Sequence, residues 1–238
     1  MSRDMLHNPV TGVILPKQIN MPVKTKKITS LSKEEFKQLL STASLIKKNG
    51  DPIYQYAPAI VFMLNIGLRS GELLALTWDK IDYNKRLAYI NVSASTVINR
   101  DENSITKTKR IISDAKTLNG VRYIPLNTQA IKALECIAEY NEKYHIKSQF
   151  VVCTRLGEIV THRSFQSCLD RLIIKSGLNH IGTHSLRHSF ASILLQSEGN
   201  IKIVSDLLVH GNTSITYNTY IHMDNRDKLN AVETLTNI

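Results

Sequence analysis

No stretch of this chain approaches the roughly 18–20 consecutive apolar residues that a membrane-spanning helix needs, so such a helix is excluded. The opening residues, MSRDMLHNPVTG, contain no apolar core segment of the kind a secretory signal carries. Cysteine is scarce. Cys136, Cys153 and Cys168 are scattered, and none belongs to a Cys-x-x-Cys pair. They cannot form a disulfide framework, and packed thiols in a reducing cytoplasm are the expectation. No G-x-x-x-x-G-K-[ST] loop is present, which argues against a phosphate-cradling ATP site. Acidic residues are in deficit, 20 Asp and Glu against 30 Lys and Arg, giving a net charge of +10. A basic surplus of that size points to a polyanionic partner, most often nucleic acid.

What is present reads as one globular unit. The 238 residues, with 42% apolar side chains and ten glycines, fit one large domain with a core that needs no staple. Residues 1–28 look like a linker or tether. They hold Pro9, Pro16 and Pro22, then Lys24, Lys26 and Lys27, with no hydrophobic period. A tether there suggests something attached upstream. Ser32 followed by Glu35 forms a capping box, and Leu31 with Phe36 suits a hydrophobic staple. A helix therefore starts at this point and breaks at Gly50-Asp51. A second apolar helix is expected over about 53–66, punctuated by Gly67, with helix resuming over Arg69–Leu76.

From Trp78 to Leu126 the pattern turns to short strands. LAYINV (87–92) and VRYIPL (121–126) are rich in β-branched and aromatic residues. The polar stretch between them carries Lys107, Lys109, Arg110 and Lys116. It reads as a small antiparallel sheet with an extended hairpin, whose lysines also suit a solvated edge. After Pro125 helices are expected near 128–145, 162–176, 184–198, 201–209, 213–221 and 225–236. Thr161 and Thr183 occupy N-cap positions, and Gly177 and Gly199 C-terminal ones. The fold class is therefore mainly α with a small antiparallel β-sheet.

Six of the eight histidines follow residue 160. His184 and His188, four apart, could share a metal ion, but Ser185 stands where a zinc protease has its glutamate. His184 and Arg187 lie three apart at a helix start and share a face. A guanidinium forks onto phosphate oxygens, and an imidazole exchanges a proton near neutral pH. Arg69 opens a second helix inside an apolar stretch. Glu72, one turn on, can orient it or simply neutralise it in a structural ion pair. Tyr217 and Tyr220, at helical spacing near His210 and His222, fit either packing or nucleophile roles.

Taken in order, G-L-R-S-G-E-L at 67–73, Lys116, H-S-L-R-H at 184–188, His210 and Tyr220 resemble the catalytic domain of the tyrosine recombinases, the phage integrase family. The resemblance covers about residues 29–236. It implies that Arg69 and Arg187 clamp the scissile phosphate of double-stranded DNA and that Glu72 supports Arg69. His184 and His210 assist, Lys116 is the hairpin lysine, and Tyr220 is the nucleophile. Lys107 and Lys109 compete with Lys116 for that place. The family often has Leu-Gly-His before the tyrosine helix; here it is Leu208-Val209-His210. The implied unit is a catalytic domain over 29–238 with a tail helix near 225–238, which the resemblance docks on a neighbouring protomer. It works as a homotetramer on DNA and as a monomer in solution, in the cytoplasm, without metal, other cofactor, small-molecule substrate or membrane. The implied role is integrating or excising a mobile element. A catalytically silent DNA-binding domain, a relaxing topoisomerase of similar chemistry, and a metal-dependent nuclease using His184 and His188 are the rival readings.

Overall fold

The computed structural model describes residues 30–99, 108–114, 121–198, 207–208 and 232–237. Helix α1 (Lys33–Ala43) begins as the sequence predicts. Ser32 Oγ accepts from the Glu35 N–H at 3.2 Å, and Glu35 accepts from the Ser32 N–H at 2.8 Å. Leu31 and Phe36, at the two staple positions, are both buried.

Helix α2 (Ala57–Ile66) is buried at every position. Its sequence, APAIVFMLNI, is apolar on all sides, and a helix with no polar face belongs inside. It packs on α1, on α4 (Thr128–Lys143), on α5 (His162–Ser176) and on α6 (Thr183–Glu198). It starts at Ala57 rather than at 53, because Pro58 lacks an N–H and fits the first helical turn. The polar Asn65 within it is satisfied. Its amide donates to the Val61 carbonyl at 2.8 Å, and its Oδ1 accepts from Asn127 at 2.9 Å.

Helix α3 (Ser70–Ala75) is followed by a 3-10 turn, Trp78–Lys80, and five strands: β1 (Ile81–Asp82), β2 (Leu87–Ile90), β3 (Val92–Ile98), β4 (Thr108–Asp114) and β5 (Arg122–Pro125). They form two antiparallel units. One is a three-stranded sheet in the order β1-β2-β5, with Tyr89 opposite Tyr123; the other is the β3–β4 ribbon, running from Val92 opposite Asp114 to Ile98 opposite Thr108. The two strands read from sequence thus belong together, and the polar stretch between them supplies the ribbon.

Asn127 caps α4 by accepting from the Ala130 N–H at 2.8 Å, and Thr161 caps α5 by accepting from Ser164 at 3.0 Å. Gly177 ends α5 with a left-handed φ of 67°. Thr183 is not a cap but the first residue of α6. Its N–H donates to the Gln166 side chain at 3.0 Å, so a residue of α5 satisfies the start of α6. The helices expected at 201–209, 213–221 and 225–236 lie outside the described residues except for 207–208, which are helical, and 232–237, of which Thr234–Asn237 is a 3-10 turn.

Candidate active site

The site is built where α2 stops. Gly67 caps it with φ 66°, a conformation that favours glycine. A Cβ there would sit 2.4 Å from the Phe190 ring of α6 and 2.9 Å from Leu208. The missing side chain therefore lets α6 approach and lets the chain turn, so that Leu68 enters the core and Arg69 faces outward. Gly71, two residues on, makes room for the β3–β4 ribbon: a Cβ would lie 2.5 Å from Ser93 Oγ and 2.6 Å from the Ala94 carbonyl.

Glu72 is the hub. Its carboxylate accepts from the Arg69 backbone N–H at 2.8 Å and from the Arg69 guanidinium at 2.9 Å. Arg122 of β5 grips the same carboxylate through two bonds, 3.0 Å and 2.9 Å. Arg187 Nη1 of α6 lies 4.0 Å from it. The side chains of Glu72, Arg122 and Arg187 are 6%, 7% and 4% exposed, whereas that of Arg69 is 44% exposed. Three buried or half-buried positive charges thus share one carboxylate. Burial by itself raises the Glu72 pKa, but the hydrogen bonds and charge of Arg122, then those of Arg69, outweigh it and hold the carboxyl at about 2. Burial, then Arg69, pull Arg187 down to about 9, so it stays charged at neutral pH. Arg187 also donates to two backbone carbonyls, Gly67 at 2.9 Å and Leu208. A cluster with this balance is fitted to an anion.

His184 stands at the start of α6, exposed, beside this cluster. Burial, then the charges of Arg187 and Arg69, lower its pKa and favour the neutral imidazole. Its ring meets that of His188 edge to face, with centroids 4.6 Å apart. Among the described residues no group of three metal-ligating side chains gathers here or elsewhere.

The structure therefore brings together Arg69, Glu72, His184 and Arg187 from two separate segments, the start of α3 and the start of α6. Lys116, His210 and Tyr220 lie outside the described residues, as does the competitor Lys107; Lys109 is exposed on β4. Sequence reasoning missed Arg122. The signal was there: strand alternation puts Arg122 on the face of buried Ile124, opposite exposed Tyr123. An arginine facing a core requires an acid.

The described part of the tail rests on its own chain. Glu233 accepts from Arg86 and, at 3.0 Å, from Thr128 Oγ1; Asn127 donates to the Val232 carbonyl at 3.0 Å. Val232 and Leu235 are buried in the same core. Val232 and Leu235 thus pack on the core of their own chain, as an apolar i,i+3 series can.

A profile of the phage integrase family matches residues 29–226. The tyrosine recombinase XerC-like protein of Caldanaerobacter subterraneus subsp. tengcongensis is 29% identical over 245 residues, which cover 97% of this chain and 60% of that protein. Tyrosine recombinase XerC of Haemophilus influenzae is 29% identical over 219 residues, 91% of this chain and 62% of that protein. The chain thus spans about three fifths of the curated relatives it matches. Among solved structures, the Tn1549 transposon integrase in complex with transposon right-end DNA superposes with a TM-score of 0.64 at 24% identity, over 89% of this chain and 67% of that one. XerA recombinase gives 0.57 at 18% identity, over 88% and 65%. These likenesses establish the fold.

Proposed function

Because the chain belongs to the phage integrase family, we propose that it is the catalytic domain of a site-specific DNA recombinase. The observation that carries this reading is the convergence of Arg69 and Arg187 on the buried Glu72, with His184 close enough to feel the charge of both arginines. A phosphodiester is already anionic and repels an anionic nucleophile. Its attack becomes feasible where fixed positive groups meet the charge that grows on the non-bridging oxygens.

In this scheme the Tyr220 oxygen attacks the scissile phosphorus and gives its proton to His184, whose lowered pKa suits a base. The P–O5′ bond breaks, a 3′-phosphotyrosine bond forms, and the departing 5′ oxygen takes a proton from Lys116. Arg69, Arg187 and His210 hold the non-bridging oxygens. A 5′ hydroxyl of a second strand then reverses the step, so the phosphodiester energy is kept and neither ATP nor a metal enters the balance. Two duplexes exchanged strand by strand need four such sites, hence a tetramer on DNA. The role is integration or excision of a mobile element, and the workplace is the cytoplasm, where the DNA lies. No helix among the described residues is long and apolar enough to cross a membrane.

The test begins with a duplex that the protein selects from a random-sequence pool. The selected duplex is nicked beside each candidate phosphate and incubated with the protein in EDTA. A covalent protein–DNA adduct is the expected result. Tight binding with no adduct would favour a silent DNA-binding domain. Relaxation of supercoiled plasmid lacking the selected site would favour a topoisomerase, and nicking that EDTA abolishes would favour a metal-dependent nuclease.

A further inference from the structure

From the double hydrogen bond between Arg122 and Glu72, we infer that Arg122 is a positioning residue that keeps Glu72 from neutralising the anion clamp. The inference rests on the proposed strand-cleavage reading. Glu72 is needed because it fixes Arg69 twice, through the backbone N–H and through the guanidinium. A carboxylate in that place is also a hazard. It lies 4.0 Å from Arg187, and one negative charge among the two clamping arginines would cancel half of what the substrate is meant to feel.

Arg122 resolves the conflict. It comes from β5, fifty residues away, and engages both carboxylate oxygens at 3.0 Å and 2.9 Å. Its side chain is as buried as that of Glu72, so this pair is little screened by water. Arg122 offsets the charge of Glu72, so the four side chains together keep a net positive charge equal to that of Arg69 and Arg187 for the ligand. Geometry supports the division of labour. Arg69 is the exposed member of the cluster, while Arg187 is held back by the Gly67 and Leu208 carbonyls. Those bonds direct Arg187 without drawing on its charge as a carboxylate would. Arg122 touches no substrate in this account. It acts through Glu72 on the field of the two clamping arginines.

The experiment compares two nicked duplexes, both built on the site that the protein selects from a random pool. One has an ordinary scissile phosphodiester. The other has a methylphosphonate there, in which a neutral methyl group replaces one charged non-bridging oxygen. Single-turnover cleavage is measured at saturating DNA for the wild type, Arg122→Gln, Arg122→Lys and Glu72→Gln/Arg122→Gln, with folding followed by circular dichroism.

Arg122→Gln should slow the phosphodiester by roughly 100-fold or more and the methylphosphonate by less than about 10-fold. Arg122→Lys, which keeps the charge and loses the fork, should lie between the wild type and Arg122→Gln on the phosphodiester. The double variant leaves no carboxylate to compete, and should cleave the phosphodiester faster than Arg122→Gln. It removes both members of the buried Arg122–Glu72 pair together, so it reports on the inference even where Arg122→Gln fails to fold. Equal impairment of Arg122→Gln on both substrates, or a double variant slower than the single one, would overturn the inference and leave Arg122 a structural tie. A wild type inert towards the phosphodiester would overturn the strand-cleavage reading itself, and the role of Arg122 with it.

Discussion

Arg187 donates to the carbonyl of Gly67 at 2.9 Å across 120 residues of sequence. The bond joins the turn that presents Arg69 to the helix that presents His184, so the two halves of the clamp are set by one contact. Gly67 is also the residue whose conformation and lack of a side chain permit that approach.

Gly67→Ala should therefore weaken both fold and site. It places a Cβ 2.4 Å from Phe190 and imposes a left-handed φ on alanine. Overpacking and backbone strain together should cost roughly 2–4 kcal/mol. Urea unfolding measures this. Phe190→Leu in the same chain should recover part of it, and a purely additive double variant would show that the Phe190 contact is not the cause.

Glu72 makes a prediction at acid pH. Its pKa falls from an ordinary 4.5 to about 2 on folding. The folded value is depressed, so the stabilisation is complete above about 4.5 and is lost as pH falls towards 2. Its size is on the order of 3 kcal/mol. Glu72→Gln should flatten that part of the stability curve between pH 4.5 and 2. A curve of unchanged slope in the variant would mean that other carboxylates carry the acid sensitivity.

His184 makes a kinetic one. Burial, then Arg187 and Arg69, hold its pKa below the ordinary 6.5. As the base for Tyr220 it must be neutral, so the cleavage rate should be flat at neutral pH and fall with acid only below 6.5. His184→Gln should remove that acid limb and slow the plateau by roughly 100-fold. An acid limb that survives in His184→Gln would transfer the titration to another group.

Local chemistry was the legible part of this chain. The Ser32–Glu35 capping box, the Thr161 cap and the Gly177 stop each depend on residues a few positions apart, and each stands where the sequence puts it. The Gly67–Leu73 and His184–His188 motifs were visible for the same reason. What stayed hidden depends on distant partners. Arg122 meets Glu72 across 50 residues, Glu233 meets Arg86 across 147, and Thr183 is capped by a side chain of the preceding helix. No periodicity encodes such pairings. The division of the strands into a sheet and a separate ribbon was hidden likewise, since register between distant strands leaves no local mark.

The proposed role of Lys116 separates from mere DNA holding through one atom. Sulfur in place of the bridging 5′ oxygen leaves as a thiolate without a general acid, since a thiol pKa is about 8.5. Lys116→Ala should cleave the oxygen substrate slowly and the sulfur substrate close to the wild-type rate, while Arg187→Ala stays slow on both. The same assay on Lys107→Ala and Lys109→Ala identifies the acid if Lys116 is not it. Equal impairment of Lys116→Ala on both substrates would assign it to backbone contact.

The central claim is a covalent bond between one tyrosine and a DNA 3′ phosphate. The direct measurement is mass spectrometry of the adduct formed on the nicked, selected duplex, after nuclease and protease digestion. The account predicts a nucleotide joined through phosphate to Tyr220, and no adduct from Tyr220→Phe, which should still bind the duplex within a few-fold of the wild type. A modified Tyr217, or an adduct that persists in Tyr220→Phe, would contradict it.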